Sequence, residues 1–297
     1  MEDSSGRTRL SRRSFVRLGS VGLLTSVAGC LGSGETDQES NPDAREDGLA
    51  AQSSLVQAIG FEGQDIVVRL VDGHDISKLN LLDPEGSLYT STSVATGETT
   101  VRLQIIEIPS VMGRYSHYTP GTHELALISD GSISDTVAID LNPDLEITEV
   151  KQYRNGKFDQ EYAKIEVTVH NSGTGPTWVS DIVFEDSPYF AANHDLRGHS
   201  SIPTYTEPET PEKILIPSDG DQTYVPDEEA LLFSTNEHSG CANLSGQIGI
   251  IAGLADGNNV RATAQFDAGG KIEQGRYGRR YSCTEVQLDL IEEDSDG

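Results

Sequence analysis

The sequence is poor in the residues that many redox and metal sites require. Its 297 residues include three cysteines, two methionines, one tryptophan and six lysines. A blue-copper site needs a cysteine with histidine and methionine close behind it. The segment Thr284 to Asp289, which follows Cys283, contains neither residue. The sequence therefore excludes that class of site.

The sequence also lacks the short patterns of common enzyme classes. It has no Gly-x-Ser-x-Gly for a serine hydrolase, no His-Glu-x-x-His for a zinc protease and no Gly-x-x-x-x-Gly-Lys for phosphate binding. No stretch keeps a 3.6-residue apolar period, so the α/β lobes of a transport solute-binding protein are not expected. We predict a protein that is not an enzyme and that needs no cofactor or metal.

The N-terminal segment has the pattern of an export signal. Five arginines precede an apolar run from Leu18 to Gly29, which is too short to span a bilayer because a spanning helix needs about 20 residues. Within Ser11–Arg17, the residues Arg12, Arg13 and Phe15 resemble the motif that the twin-arginine translocase reads. The resemblance implies export through that translocase, with residues 1–29 as the signal peptide.

The signal ends in a candidate lipidation site. Val27-Ala28-Gly29-Cys30 resembles a lipobox, in which the cysteine thiol carries the lipid and becomes the first residue of the mature chain. The resemblance implies a lipid on Cys30 that holds the protein at the extracytoplasmic face of the cell membrane. A basic, partly apolar N-terminus without any targeting role is the alternative interpretation.

The rest of the chain is strongly acidic. After residue 29 it has 16 basic and 46 acidic residues, a net charge of −30. Concentrated salt screens such a charge, because the Debye length falls to about 3 Å at 1 M. Together with the signal, the composition resembles haloarchaeal surface lipoproteins, although an ordinary acidic protein would also carry such a charge. Nucleic acid is an unfavourable partner for this surface.

The residues after Cys30 divide into a tether and a first β-rich region. Residues 30–52 are acidic and poor in apolar residues, which indicates a flexible, disordered tether. From 53 to 142, short runs of alternating apolar and polar residues are separated by turn residues. About seven strands in this region predict a β-sandwich domain.

A second β-rich region is expected from 143 to 291. Its clearest strand is Ala163–His170, which alternates apolar and polar residues and ends in Asn171–Pro176, a turn sequence. The unit at 161–184 resembles the CARDB-like, immunoglobulin-type domains of prokaryotic surface proteins. The chain is thus expected to be all-β, with two tandem immunoglobulin-like β-sandwich domains, a long insertion at 186–245 and an acidic tail at 292–297.

The two remaining cysteines, Cys241 and Cys283, are expected to pair. In an exported protein a disulfide is the default for two such residues. Two metal-binding thiolates are the alternative.

Other candidate ligands lack a recognised spacing. His194, His199 and His238 lie in the same region as Cys241 and would suit a metal with imidazole and thiolate ligands. The acidic turns 219–221 and 256–258 carry oxygen ligands that suit calcium. Neither set forms a known motif, so loop histidines and solvated turns are the favoured interpretation.

The region also holds a basic cluster and a glycosylation sequon. Arg276, Arg279 and Arg280 alternate with tyrosines, and arginine and tyrosine are enriched at contact surfaces; the alternative is internal pairing with carboxylates. Asn243 begins the one Asn-x-Ser/Thr sequon.

We expect a lipid-anchored surface protein with a non-catalytic role in binding, adhesion or envelope organisation. Its partner would be a surface protein or a glycan, and the 186–245 insertion is the expected contact surface because long loops commonly carry recognition. The alternative is an accessory lipoprotein that captures a ligand or metal for a transporter or an extracellular enzyme.

Overall fold

In the computed structural model, the chain has an all-β fold, which follows from the alternation of apolar and polar residues in its sequence. The structure describes residues 53–108, 116–154, 159–196, 204–210, 213–235, 240–274 and 279–291. Residues 1–52 and 292–297 lie outside these ranges. The predictions of a signal peptide, a lipidation site, a tether and an acidic tail fall on those residues. Within the described ranges, no helix has the length and apolar character of a membrane span.

The described residues form nineteen strands and two short 3-10 turns, at Asp159–Ala163 and Phe190–Ala192. The strands are β1 (Val56–Glu62), β2 (Asp65–Leu70), β3 (Lys78–Leu82), β4 (Leu88–Ser93), β5 (Thr100–Gln104), β6 (Ile106–Glu107), β7 (Ser116–His117), β8 (Gly121–Ser129), β9 (Ser132–Leu141), β10 (Leu145–Gln152), β11 (Ile165–Asn171), β12 (Thr177–Glu185), β13 (Tyr205–Glu207), β14 (Leu215–Ile216), β15 (Gly220–Pro226), β16 (Phe233–Ser234), β17 (Leu244–Leu254), β18 (Asn259–Gln274) and β19 (Arg280–Ile291).

Four antiparallel sheets contain most of these strands. Sheet 1 has the order β1-β2-β5 and sheet 2 the order β4-β3-β8-β9, while sheet 3 runs β10-β11-β15-β13 and sheet 4 runs β14-β12-β17-β18-β19-β16. The buried side chains of all four sheets belong to one apolar cluster. The prediction of an all-β sandwich fold is thereby confirmed. The immunoglobulin-type topology and the division at residue 142 stay predictions, since the described residues lie in one compact unit, Arg45–Gly297.

Strand β11 illustrates how the pattern in the sequence leads to the fold. Ile165, Val167 and Val169 are fully buried, while the residues between them face outward and are only partly covered. Such a strand contributes one apolar face to a core and one polar face to solvent. It begins two residues later than predicted because Asp159–Ala163 forms a 3-10 turn.

Strand β12 departs from this simple pattern. Eight of its nine residues, from Thr177 to Phe184, are buried, so the strand is covered on both faces. On the neighbouring strand β17, a side chain from outside the sheet also packs closely: a methyl group of Leu196 lies close to Gly253.

The segment 186–245, predicted as a long insertion, contains strands that the sequence analysis did not predict. It supplies β13, β14, β15 and β16, and β15 is an interior strand that pairs with both β11 and β13. Strand β15 was missed because Pro217 precedes it and Pro226 ends it, so the strand lies between residues that usually break strands. The description of the segment as an insertion stays a prediction.

Residues 56–141 form sheets 1 and 2, here called the first pair together with the short strands between them, and residues 145–291 form sheets 3 and 4, the second pair. The turn sequence Asn171–Pro176, here called the junction loop, connects the two pairs. Thr174 donates its backbone N–H to the carbonyl of Asn142 over 2.9 Å, and Ser172 donates to the carbonyl of Asp144 over 2.8 Å. The hydroxyl of Tyr118, a buried side chain of the first pair, donates to the carbonyl of Pro176 over 2.6 Å. The loop thus holds the chain segment 142–144, where one pair of sheets ends and the other begins.

The junction loop has room only for glycine at its centre. A Cβ atom on Gly173 would lie 2.1 Å from the carbonyl oxygen of Asn142 and 2.4 Å from the backbone nitrogen of Asp144. Both neighbours are backbone atoms, so neither can rotate away.

Gly173→Ala is therefore expected to lower the free energy of unfolding by about 1–3 kcal/mol, the usual cost of overpacking. The matched control is Gly60→Ala, because no atom lies within 4 Å of a Cβ at that position. Denaturant unfolding at fixed salt measures both variants. Equal stability of the two alanine variants would contradict the close contact at the junction.

Candidate functional site

Several of the predicted site residues meet at one end of sheet 4, here called the disulfide end. Cys241 and Cys283 lie at disulfide-bonding distance there, with Cα atoms 5.8 Å apart, as the sequence predicted. Both are buried, and the link joins the segment just before β17 to the first part of β19. Closing a loop of this length stabilises a protein by about 3–4 kcal/mol in the chain-entropy model.

The sequon residue Asn243 and the aromatic residue Tyr281 lie beside this disulfide. Asn243 lies in the exposed turn before β17 and has a positive φ of 63°. The hydroxyl of Tyr281 donates to the carbonyl of Gly240 over 2.9 Å. The sequon and the first residues of β19 are therefore neighbours in space, although about 40 residues separate them in the sequence.

The predicted basic cluster is partly described. The guanidinium carbon of Arg280 lies 4.2 Å from the centre of the Tyr189 ring, a cation–π contact. Arg279 is exposed, and its carbonyl accepts hydrogen bonds from Thr235. Arg276 lies outside the described residues. The ring of Tyr189 is thus one observed neighbour of Arg280.

A buried glutamine, which the sequence analysis missed, connects the disulfide end to sheet 3. Gln152 ends β10, and its amide nitrogen donates to the carbonyls of Cys283 and Tyr162, over 2.7 Å in each case. Its amide oxygen accepts from the backbone N–H of Val286 over 2.8 Å. The side chain therefore satisfies backbone groups of β19 as a neighbouring strand would. A lone Gln among polar residues gives no sequence signal for this role.

The candidate metal ligands are not brought together in the described part of the chain. His194 lies 3.9 Å from a carboxylate oxygen of Glu228, and His199 and His238 fall outside the described residues. No group of three or more histidine, cysteine, aspartate or glutamate side chains within the described ranges is placed to hold a metal. The turn at Asp256 closes on itself, because Asn258 donates both backbone and side-chain N–H groups to the Asp256 carboxylate.

An open groove of about 470 Å³ lies on the outward side of β18 and β19. Its charged lining residues are Arg154, Asp267 and Glu285, and Gln287 adds an amide. One cation and two carboxylates suit a small polar ligand better than an apolar one. His194, the one candidate histidine within the described residues, does not line this groove.

A second cluster that the sequence did not predict lies at the junction. His117 of β7 contacts the carbonyl of Tyr118 through Nδ1 at 2.7 Å and the hydroxyl of Thr177 through Nε2 at 3.0 Å. An imidazole that donates from Nδ1 and accepts at Nε2 is neutral. Burial lowers the pKa of His117 below that of a free imidazole, and the carbonyl of Tyr118 and the carboxylate of Asp256 oppose this effect only in part.

Comparisons with protein-family profiles and with curated protein sequences find no match for this chain. Among solved structures it is similar to a "Biofilm associated protein - BSP domain", a beta-glucuronidase from glycoside hydrolase family 2 and a family 2 glycosyl hydrolase from Bacteroides cellulosilyticus DSM 14838. The identities are 12%, 11% and 11%, the TM-scores 0.23, 0.21 and 0.19, and 69%, 71% and 69% of this chain is covered. The chain spans only 28%, 19% and 24% of those three chains. At such TM-scores the likeness carries no statement about function.

The lowered pKa of His117 predicts that the stability of the protein depends on pH. Because its pKa is lower in the folded than in the unfolded chain, the unfolded chain binds the proton more readily. The contribution of neutral His117 to the free energy of unfolding is complete above about pH 6.5, the ordinary histidine pKa. It is lost as the pH falls from there towards the pKa of His117 in the folded chain.

His117→Asn removes the titrating group, while its amide can still donate towards the Tyr118 carbonyl. The difference in melting temperature between the native protein and this variant should shrink as the pH falls below about 6.5. The acidic residues titrate in both proteins, so their effect cancels in the difference. A constant difference across that range would show that His117 does not titrate differently on folding.

Proposed function

We propose that this protein is lipid-anchored at the extracytoplasmic face of the membrane and acts by binding rather than by catalysis. One observation supports the location above the others: the arginine pair, the apolar run of about twelve residues and the lipobox follow one another in the order that export and lipidation require. Cys30 would be the anchor, and the twin-arginine translocase the export partner. The acidic composition suits a saline exterior.

The tether sets the reach of the anchored protein. As the flexible tether that the sequence predicts, residues 30–52 would have a root-mean-square length of about 25 Å, and repulsion between their carboxylates would extend them further. The β-rich unit would therefore stand clear of the lipid headgroups. This distance also separates its negative surface from anionic lipid.

The rigid attachment of the sheets at the junction supports a binding role. A surface carried on sheets joined by short backbone hydrogen bonds needs little ordering when a partner docks, which lowers the cost of binding. The disulfide end offers such a surface, with Asn243 and Arg279 exposed around a covalent link. A surface protein or a glycan is the proposed partner class.

Capture of a small ligand is a second candidate function, favoured by the groove at Arg154. Its charges would suit a small polar molecule such as a zwitterion. Isothermal titration of the protein with a panel of amino acids and sugars tests it. Saturable binding that Arg154→Ala abolishes would favour capture over contact with a macromolecule.

The anchor is tested with Cys30→Ala. We expect the variant to move from the membrane fraction to the medium, because no other residue offers a lipidation site of this kind. Ser33→Ala, three residues further along the tether, is the control and should remain with the membrane. Fractionation in the native salt concentration measures both, and a fully membrane-bound Cys30→Ala protein would refute the anchor.

The export route is tested by replacing both Arg12 and Arg13 with lysine. The charge of the segment is unchanged, so a loss of export would reflect recognition of the guanidinium pair rather than of positive charge. We expect the precursor to accumulate inside the cell, with replacement of Arg7 and Arg9 by lysine as the matched control. Normal secretion of the Arg12/Arg13 variant would exclude the twin-arginine route.

The binding role is tested by affinity capture of the anchored protein from native membranes in high salt. We expect a surface protein or glycan to be retained. If a variant with both Arg279→Glu and Arg280→Glu no longer retains this partner, the contact lies at the disulfide end. Unchanged capture by the variant would place the contact elsewhere on the protein.

A further inference from the structure

The outward face of sheet 2 differs in charge from the rest of this acidic protein. The strand register places the side chains of neighbouring strands side by side on this face. Uncharged residues occupy many of its outward positions, including Asn80 and Leu82 on β3, Leu88 on the edge strand β4, and Ile133 and Thr136 on the edge strand β9. We call this surface the low-charge face.

Its few charges are of both signs. Lys78 and Glu124 lie on the two interior strands, and Asp140 lies at the margin. The outward face of sheet 3 has more carboxylates, since Glu146, Glu149, Glu166 and Asp221 project from it beside a single lysine, Lys151. In a chain with 48 acidic and 21 basic residues, a four-stranded face with so few carboxylates is exceptional.

The low-charge face also exposes apolar side chains. Leu88 is 56% exposed and Ile133 is 62% exposed, the two highest values among the large apolar side chains of the described residues. Exposed apolar side chains are a feature of surfaces that bind a partner.

We propose that the low-charge face binds the same face of a second copy of this chain. Two copies of a strongly acidic protein repel each other over most of their surfaces, and this face is where the repulsion is weakest. A two-fold contact brings identical patches together. Lys78 of one copy then has Glu124 of the other as an available partner of opposite charge, and the sheets can stack about 10 Å apart as in a sandwich.

The size of the face predicts a weak contact. Four strands spaced about 4.8 Å apart and three rows of outward residues cover about 400 Å² per copy, roughly half of a standard interface. Salt should strengthen the association, because it screens the repulsion between the copies and favours apolar burial. If the proposed lipid anchor holds, confinement to a membrane would raise the local concentration further.

Sedimentation equilibrium tests this proposal without depending on the anchor. The full chain carrying Cys30→Ala is measured from about 10 μM to about 1 mM, concentrations that span weak association, in low and in high salt. We expect a monomer–dimer equilibrium whose dimer fraction rises with both protein and salt. A monomer under all of these conditions, or larger oligomers without a dimer, would overturn the proposal.

Matched variants then locate the contact. Thr136→Glu introduces a carboxylate into the low-charge face, twice in each dimer, and should weaken dimerisation by about tenfold or more through like-charge repulsion. Thr223→Glu adds the same charge to the outward face of sheet 3, also on an exposed threonine of a strand, and should leave dimerisation within about twofold. Equal effects of the two variants, or no effect of Thr136→Glu, would show that the low-charge face is not the contact. Melting temperatures close to that of the parent confirm that both variants are folded.

Discussion

The side-chain amide of Asn171 fixes the place where one pair of sheets meets the other. Its nitrogen donates to the carbonyls of Gly175 and Pro217, and its oxygen accepts the backbone N–H groups of Asp144 and Gly173. All four partners are backbone groups, and the side chain is fully buried. A buried amide that satisfies four backbone groups specifies one geometry, because every alternative leaves polar groups unpaired.

The other contacts of the junction depend on the shape that this amide imposes. The turn brings Gly173 against the carbonyl of Asn142 and Gly175 against the hydroxyl of Tyr118. Tyr118 in turn stacks on His117, with ring centres 4.4 Å apart. Burial raises the pKa of Tyr118 above its ordinary value, with a further contribution from Asp256, so the hydroxyl keeps the proton that it donates to Pro176. The turn thereby connects residues that are 58 positions apart in the sequence.

Local sequence patterns predicted much of the strand content, but not its long-range partners. The alternation in β11 and the turn residues after it were sufficient to place that strand and the junction loop. The contact of the loop with Tyr118 could not be predicted, because nothing in Asn171–Pro176 encodes a partner in the first pair of sheets. Strand β15 was missed because prolines bound it, and Gln152 because a single polar residue has no periodicity. The pairing of Cys241 with Cys283 was predictable from the number of cysteines and from the predicted export of the chain.

The double burial of β12 has a consequence for the dynamics of the protein. Most strands here have one face towards solvent, so local openings can expose their amides without disrupting the core. Strand β12 has no such face from Thr177 to Phe184, it pairs with β17 along most of its length, and it begins directly at the junction loop. Its amide hydrogens can exchange with solvent only when the sheets separate, which makes this strand the reporter of global rather than local opening.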